Sequence, residues 1–244
     1  MLIVNADDWG RSIPETDAAL KCYQAKRITS VSAMVFMADS ERAADLARAH
    51  GLQVGLHLNF SEPFSDKKRL GSELTNCQSR LVGFLNRNKY SHLLYNPFLR
   101  SAFSYSYRQQ ADEFMRLYRR PPSHIDGHHH MHLSSNLLLS NIVPSGTRLR
   151  RNFSFWAGEK SWLNRTYRAL VDRWLMGRYH LPDFFFDLTQ CIQGRKMDRV
   201  RRLAALKTVE LMTHPIVQAE ADYLMSNDFE EILRDSGIAV TESV

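Results

Sequence analysis

Cysteine is scarce in this chain: Cys22, Cys77 and Cys191 are all there is among 244 residues. An odd number at wide spacing argues against a disulfide framework and against a cysteine-based zinc site, so the three are expected to be reduced, buried small hydrophobes. No apolar run approaches the roughly 18–20 residues that span a bilayer. Leu2-Ile3-Val4 runs straight into Asp7-Asp8 without the charge pattern of a signal peptide, which makes the cytoplasm the expected address. Glycine (11) and proline (8) are too few, beside 44% hydrophobic residues, for a disordered, collagen-like or low-complexity chain. No internal repeat is evident. Charge of one sign is also modest. Lys+Arg 32 against Asp+Glu 26 leaves +6, a balance that a solvated basic surface explains, and no nucleic-acid partner is expected.

What remains is an ordinary globular composition of a length that favours one large domain over residues 1–244. Short apolar runs alternate with helical stretches throughout. Leu2–Asn5, Thr29–Phe36 and Gln53–Leu58 read as strands. Between them, Ser12 caps a helix reaching about Arg27, and a second helix begins at Asp39 or Ser40 and stops at Gly51. Asn59 to Gly71 reads as a long loop. Helical patterns follow near Ser72 to Arg87 and Tyr105 to Arg119, and Pro121-Pro122 launches a strand around His124 to Asp126. Further strands are expected at Thr147–Arg151, Asp183–Asp187, Val209–Thr213 and Ile238–Thr241. The pattern predicts an α/β fold, a barrel in preference to an open sheet.

Four polar clusters fall at the carboxyl ends of these strands, the functional rim of α/β folds: Asp7-Asp8, His57, the histidines after Asp126, and His214. Adjacent carboxylates have a chemical use, since one can bind a metal while its neighbour accepts a proton. Five of the ten histidines lie between His124 and His132, a density that packing does not call for and metal ligation does. Periodicity at a strand end allows either His128 or His130 to point inward. Pro215 ends the last of these strands at once and fixes His214 at the rim.

The segments Asn5-Ala6-Asp7-Asp8-Trp9-Gly10, Gly55-Leu56-His57-Leu58-Asn59, His124-Ile125-Asp126-Gly127-His128-His129-His130-Met131-His132 and Glu210-Leu211-Met212-Thr213-His214-Pro215 together resemble the YdjC-like carbohydrate deacetylases, which include chitooligosaccharide deacetylases and hopanoid-associated proteins. The four motifs occur in that family's order and span the chain. The resemblance implies a distorted (β/α) TIM-like barrel, related in architecture to polysaccharide deacetylases, and one divalent cation, Zn²⁺ or Mg²⁺. It implies that Asp8, His57 and His128 bind the metal, that Asp7 is the base and that His214 is the candidate acid. Asn59, Asp126, His130 and His132 are then expected behind the ligands or in the sugar pocket. The implied reaction removes an N-acetyl group from an amino sugar or short oligosaccharide, with metal-activated water as the attacking group. A metal-dependent phosphoesterase and a non-catalytic metal- or sugar-binding module are the alternatives.

Two positions depart from the family. Trp9 stands where Phe or a similar aromatic is usual, and Arg11 where the residue is more often apolar. A larger departure is the basic, aromatic stretch from about 152 to 186. Within Ser161–Arg178, Leu163, Tyr167, Leu170, Val171 and Trp174 recur at helical spacing with arginines between them. A helix packed on the barrel with a solvated basic face is the plain expectation. Contact with an anionic membrane or a lipid-linked sugar is the second reading, and a homodimer interface the third.

Overall fold

A computed structural model describes residues 1–156 and 158–236. Six strands share one sheet: β1 (Leu2–Trp9), β2 (Ser30–Ala33), β3 (Val54–Leu58), β4 (Ile125–Gly127), β5 (Phe184–Asp187) and β6 (Val209–Thr213), in the order β4-β3-β2-β1-β6-β5. Strands 3 and 6 are buried at every residue, so His57, Glu210 and Thr213 lie inside the fold beside their apolar neighbours. The pairs β1·β6, β5·β6 and β3·β4 are parallel. Register in the last of these sets His57 beside Asp126.

The expected α/β class and parallel pairing are present, while the strand order is linear and closure into a full barrel is not part of it. The strand expected at Thr147–Arg151 is reduced to one bridge, Arg148 with His180. Arg150 turns inward to the buried Asp7, and just beyond it the Asn152 backbone N–H donates to Asp172 Oδ1 at 3.1 Å in place of a neighbouring strand. The helix expected from Tyr105 begins five residues earlier and runs Arg100–Tyr118, closing on Arg119 at φ 56° just before the paired prolines. Helix Ser40–His50 ends at Gly51 (φ 66°), as its sequence predicts. The strand expected at Ile238–Thr241 lies outside the described residues.

The chain divides into two compact units, and the boundary between the first two segments falls inside β1, between Asp7 and Asp8. One unit holds Met1–Asp7, Asp17–Val31 and the described residues from Arg148 onward. Leu2, Val4, Phe185, Val200, Leu211 and Phe229 form its core, and the buried Arg27 pairs with Glu230 at 2.6 Å. The other unit holds Asp8–Thr16 and Ser32–Thr147. Here Trp9 is fully buried and its indole N–H donates to Ala43 O. Phe60 and Phe103 pack with ring centroids 5.3 Å apart.

Cys22 and Cys191 are buried and Cys77 half-buried, all three unpaired. Burial pushes the Cys22 thiol up to about 11 and the Cys191 thiol to about 12, so neither is a nucleophile at neutral pH. Among the described residues, no helix is long and apolar enough to cross a membrane. Helix Trp162–Met176 forms where its periodicity predicts, but it buries only Asp172 and Leu175. The apolar stripe expected to face the core is exposed instead, Leu163 at 64% and Leu170 at 63%.

Gly55 shows why β3 carries a glycine two residues before His57. A β-carbon there would lie 2.4 Å from the His124 ring, whose nitrogens are held by Ser32 Oγ and Ser123 Oγ, each at 2.9 Å. Gly55→Ala therefore lowers stability by about 1–3 kcal/mol through overpacking. Gly83→Ala, in an open helical position with no atom within 4 Å of the added carbon, raises it by about 0.5–1 kcal/mol. Urea unfolding of the two variants against the parent chain checks both signs.

Candidate active site

Three strand ends of one unit bring Asp8, His57 and His128 together, each buried and each offering one ligand atom, all within 4.8 Å of one another. Asp8, the last but one residue of β1, sits in the left-handed region at φ 63°, a conformation that a non-glycine residue keeps only when its surroundings impose it. Its Oδ1 receives both imidazoles: His128 Nδ1 at 2.9 Å and His57 Nε2 at 3.4 Å. Behind His57, Nδ1 lies 2.8 Å from Asp126 Oδ1. Ser32 Oγ donates to Asp126 Oδ2 at 2.7 Å. This relay fixes the His57 ring, with Nδ1 turned to Asp126 and Nε2 turned to Asp8.

The histidine run resolves through its backbone. His129 and His130 both sit at positive φ, 52° and 59°, so the chain turns sharply after His128. His128 is the member of the triplet that reaches Asp8, while His129 Nδ1 meets Ser61 Oγ at 3.1 Å. His130 and His132 face each other with ring centroids 6.3 Å apart. Gly127 permits the turn, since a β-carbon there would lie 2.9 Å from the His132 backbone nitrogen. Asn59 organises the neighbouring loop: its side-chain oxygen accepts from the Ser61 and Glu62 backbone N–H groups.

Electrostatics favour positive charge at this point. Burial works against the Asp8 carboxylate, yet hydrogen bonds from His128 and His57 more than offset it and hold the group well below the usual carboxylate range. Burial likewise opposes the charge on Glu62, but His128 and Arg11 bring it down to about 2. Burial would discharge His128, and the hydrogen bond to Asp8 together with the nearby Glu62 carboxylate outweighs that and raises it. Arg11 grips Glu62 with two contacts of 3.0 Å and lies 3.8 Å from Asp8. One carboxylate and two imidazoles, one of them braced by a second carboxylate, are a donor set that could hold a divalent cation with positions left over. The buried His128 Nε2 has no hydrogen-bond partner among the described residues and lies 3.6 Å from Glu62 Oε2. These residues fit a cation.

In the other unit, Asp7 takes a different partner from its neighbour in sequence. Arg150, fully buried, clamps both Asp7 oxygens at 2.7 Å and donates through Nε to Glu210 at 2.6 Å. Asn5 Nδ2 also donates to Asp7 at 2.9 Å, and the Arg150 guanidinium stacks over Phe185 at 4.9 Å. His214 belongs to a second group with Asp187 and Glu220. Glu220 accepts from the Thr189 and Thr213 hydroxyls and from the His214 backbone N–H. Burial, reinforced by the Glu220 carboxylate, pushes Asp187 above its ordinary range. Arg150, Glu210, Glu62 and Asp187 are absent from the set that the sequence singles out. For Arg150 the only signal was an arginine beside the apolar Leu149.

The α/β sheet carries a buried carboxylate–imidazole cluster that could hold a metal ion at its strand ends, where sites of α/β folds lie. The family model described as YdjC-like protein matches residues 1–235, and the chain belongs to that family. It is 29% identical over 245 residues to a carbohydrate deacetylase of Homo sapiens, covering 88% of this chain and 74% of the human one. A Mus musculus carbohydrate deacetylase is 27% identical over 243 residues, with 88% and 77% covered. A chitooligosaccharide deacetylase of Serratia marcescens is 33% identical over 140 residues, with 56% of this chain and 52% of that protein aligned. An Enterococcus faecalis crystal structure, described provisionally as a cellobiose-phosphate cleavage protein, superposes with a TM-score of 0.66 over 99% of this chain and 96% of its own. At 20% identity that likeness concerns the fold alone.

Arg150→Met leaves Asp7 and Glu210 buried without their common cation, and we expect a loss of about 3–5 kcal/mol in unfolding free energy. Arg150→Lys, which keeps the charge but not the fork, recovers part of it. Equilibrium denaturation of both variants reads the difference.

Proposed function

We propose that the protein is a metal-dependent hydrolase that removes an N-acetyl group from an amino sugar or a short oligosaccharide of the chitooligosaccharide type. The observation that carries this reading is the convergence of His57 Nε2 and His128 Nδ1 on one oxygen of Asp8, with Asp126 bracing His57. Family membership and relatives named carbohydrate deacetylase support the choice of substrate class.

Asp8, His57 and His128 would hold the ion. A divalent cation bound there supplies Lewis-acid polarisation of the acyl carbonyl and acidifies water. Asp7, oriented by the Arg150 fork and by Asn5, accepts the proton of the attacking water. His214, whose backbone is pinned by Glu220, gives a proton to the departing amine. Asp126 keeps His57 in the tautomer that presents Nε2. Two imidazoles with one carboxylate suit zinc-like ions better than magnesium, which prefers an oxygen-rich shell.

Acetate release from diacetylchitobiose and from N-acetylglucosamine, with metal-stripped protein reloaded separately with Zn²⁺, Mg²⁺, Mn²⁺ and Co²⁺, tests the reaction. Metal-dependent release that disappears in His57→Ala supports it. No release with any ion, despite confirmed binding, contradicts it. Asp7→Asn should lower turnover by about 10²–10⁴-fold while retaining the ion, because its role is proton transfer and not ligation. Asp126→Asn should weaken the ion's affinity by about 10–100-fold in calorimetric titration, since it disturbs the brace behind a ligand and not the ligand itself.

A further inference from the structure

His57 and His128 each turn one ring nitrogen to Asp8, and each has a carboxylate on its far side. Behind His57 that carboxylate is Asp126, 2.8 Å from Nδ1 and itself held by Ser32. Behind His128 it is Glu62, whose Oε2 lies 3.6 Å from Nε2. Glu62 stands outside the group of ligand atoms that gather within 4.8 Å of one another at Asp8, His57 and His128, so its place is behind a ligand and not among them.

Glu62 is fixed through both its main chain and its side chain. Asn59 Oδ1 accepts from its backbone N–H at 3.0 Å, and Gln78 Nε2 donates to its carbonyl at 2.7 Å. Arg11 closes on the carboxylate as a fork, Nε to Oε1 and Nη2 to Oε2, each at 3.0 Å. This gives Arg11, which stands where the family more often has an apolar residue, a partner within the site's own unit.

His128 supplies the demand for such a carboxylate. The residue is 5% exposed, and its buried Nε2 has no hydrogen-bond partner among the described residues. An imidazole that gives its Asp8-facing nitrogen to a cation carries its hydrogen on the other nitrogen, and a buried N–H left without an acceptor is costly. From 3.6 Å, a movement of about 0.8 Å reaches the length of a charge-assisted N–H···O bond.

We propose that Glu62 is a positioning residue for His128, its Oε2 accepting from His128 Nε2–H when a cation is bound, as Asp126 braces His57 from behind. The inference rests on the reading of Asp8, His57 and His128 as cation ligands and gives the second imidazole a brace of its own.

Calorimetric titration of the metal-stripped chain with Zn²⁺, and the ¹H–¹⁵N spectrum of the zinc-loaded chain with labelled histidine rings, test it together. Glu62→Gln should weaken zinc binding by about 10–100-fold. An amide has one acceptor oxygen and cannot serve Arg11 and His128 at once. In the parent, the His128 Nε2–H proton is expected downfield, as a hydrogen bond to a carboxylate requires. In Glu62→Gln it should move upfield, while the signal of the His57 ring nitrogen that faces Asp126 stays in place. A chain that has merely lost the ion pair with Arg11 would keep the His128 signal where it is. Parent-like zinc affinity in Glu62→Gln, an unmoved His128 signal, or no downfield His128 signal in the parent overturns the inference alone, provided that His57→Ala still abolishes binding. A parent that takes up no zinc, or a His57→Ala chain that binds it equally well, overturns the ligand reading and this inference with it.

Discussion

Burying the Asp8 carboxylate would be prohibitive without compensation, and the compensation is supplied by two imidazoles that reach the same oxygen. Much of the surrounding unit answers to that constraint. Asp8 holds a left-handed backbone, Asp126 and Ser32 brace His57 from behind, and the chain reverses at His129 and His130 so that His128 alone arrives. Glycines at 55 and 127 admit the His124 ring and the His132 backbone where a methyl group would collide. An arrangement so costly to build from structural needs alone is the mark of a functional site.

Asp7 and Asp8 are neighbours on one strand, yet they satisfy opposite requirements. Asp8 is open to a cation through imidazoles that can exchange a proton for a metal. Asp7 is closed by the permanent charge of Arg150, which also holds Glu210. That fork keeps the Asp7 carboxylate in one orientation, which is what a proton acceptor beside a reacting group needs. Two adjacent carboxylates thereby acquire distinct surroundings.

The strand ends, and with them Asp7, Asp8, His57, the histidines after Asp126 and His214, were legible because short apolar runs each break off at a polar residue and the runs are largely buried. The choice between His128 and His130 was not, because it depends on two left-handed residues that no periodicity announces. Arg150 was not legible either, since its partners Asp7 and Glu210 stand 143 and 60 positions away. The helix at 162–176 shows the same limit from the other side. Its apolar stripe is visible in the spacing, but spacing does not say whether anything covers it, and Leu163 and Leu170 are exposed. Barrel closure was an extrapolation from the alternating pattern, which fixes parallel pairing without counting the strands that complete a ring.

Asp8, His57 and His128 are proposed to hold one divalent cation together. Anomalous diffraction from crystals of metal-loaded protein, recorded at the absorption edge of the added ion, tests it most directly. A single peak is expected in contact with Asp8, His57 and His128. A peak centred instead on Asp187, His214 and Glu220, or no peak at all in crystals of protein that binds the ion in solution, would contradict it.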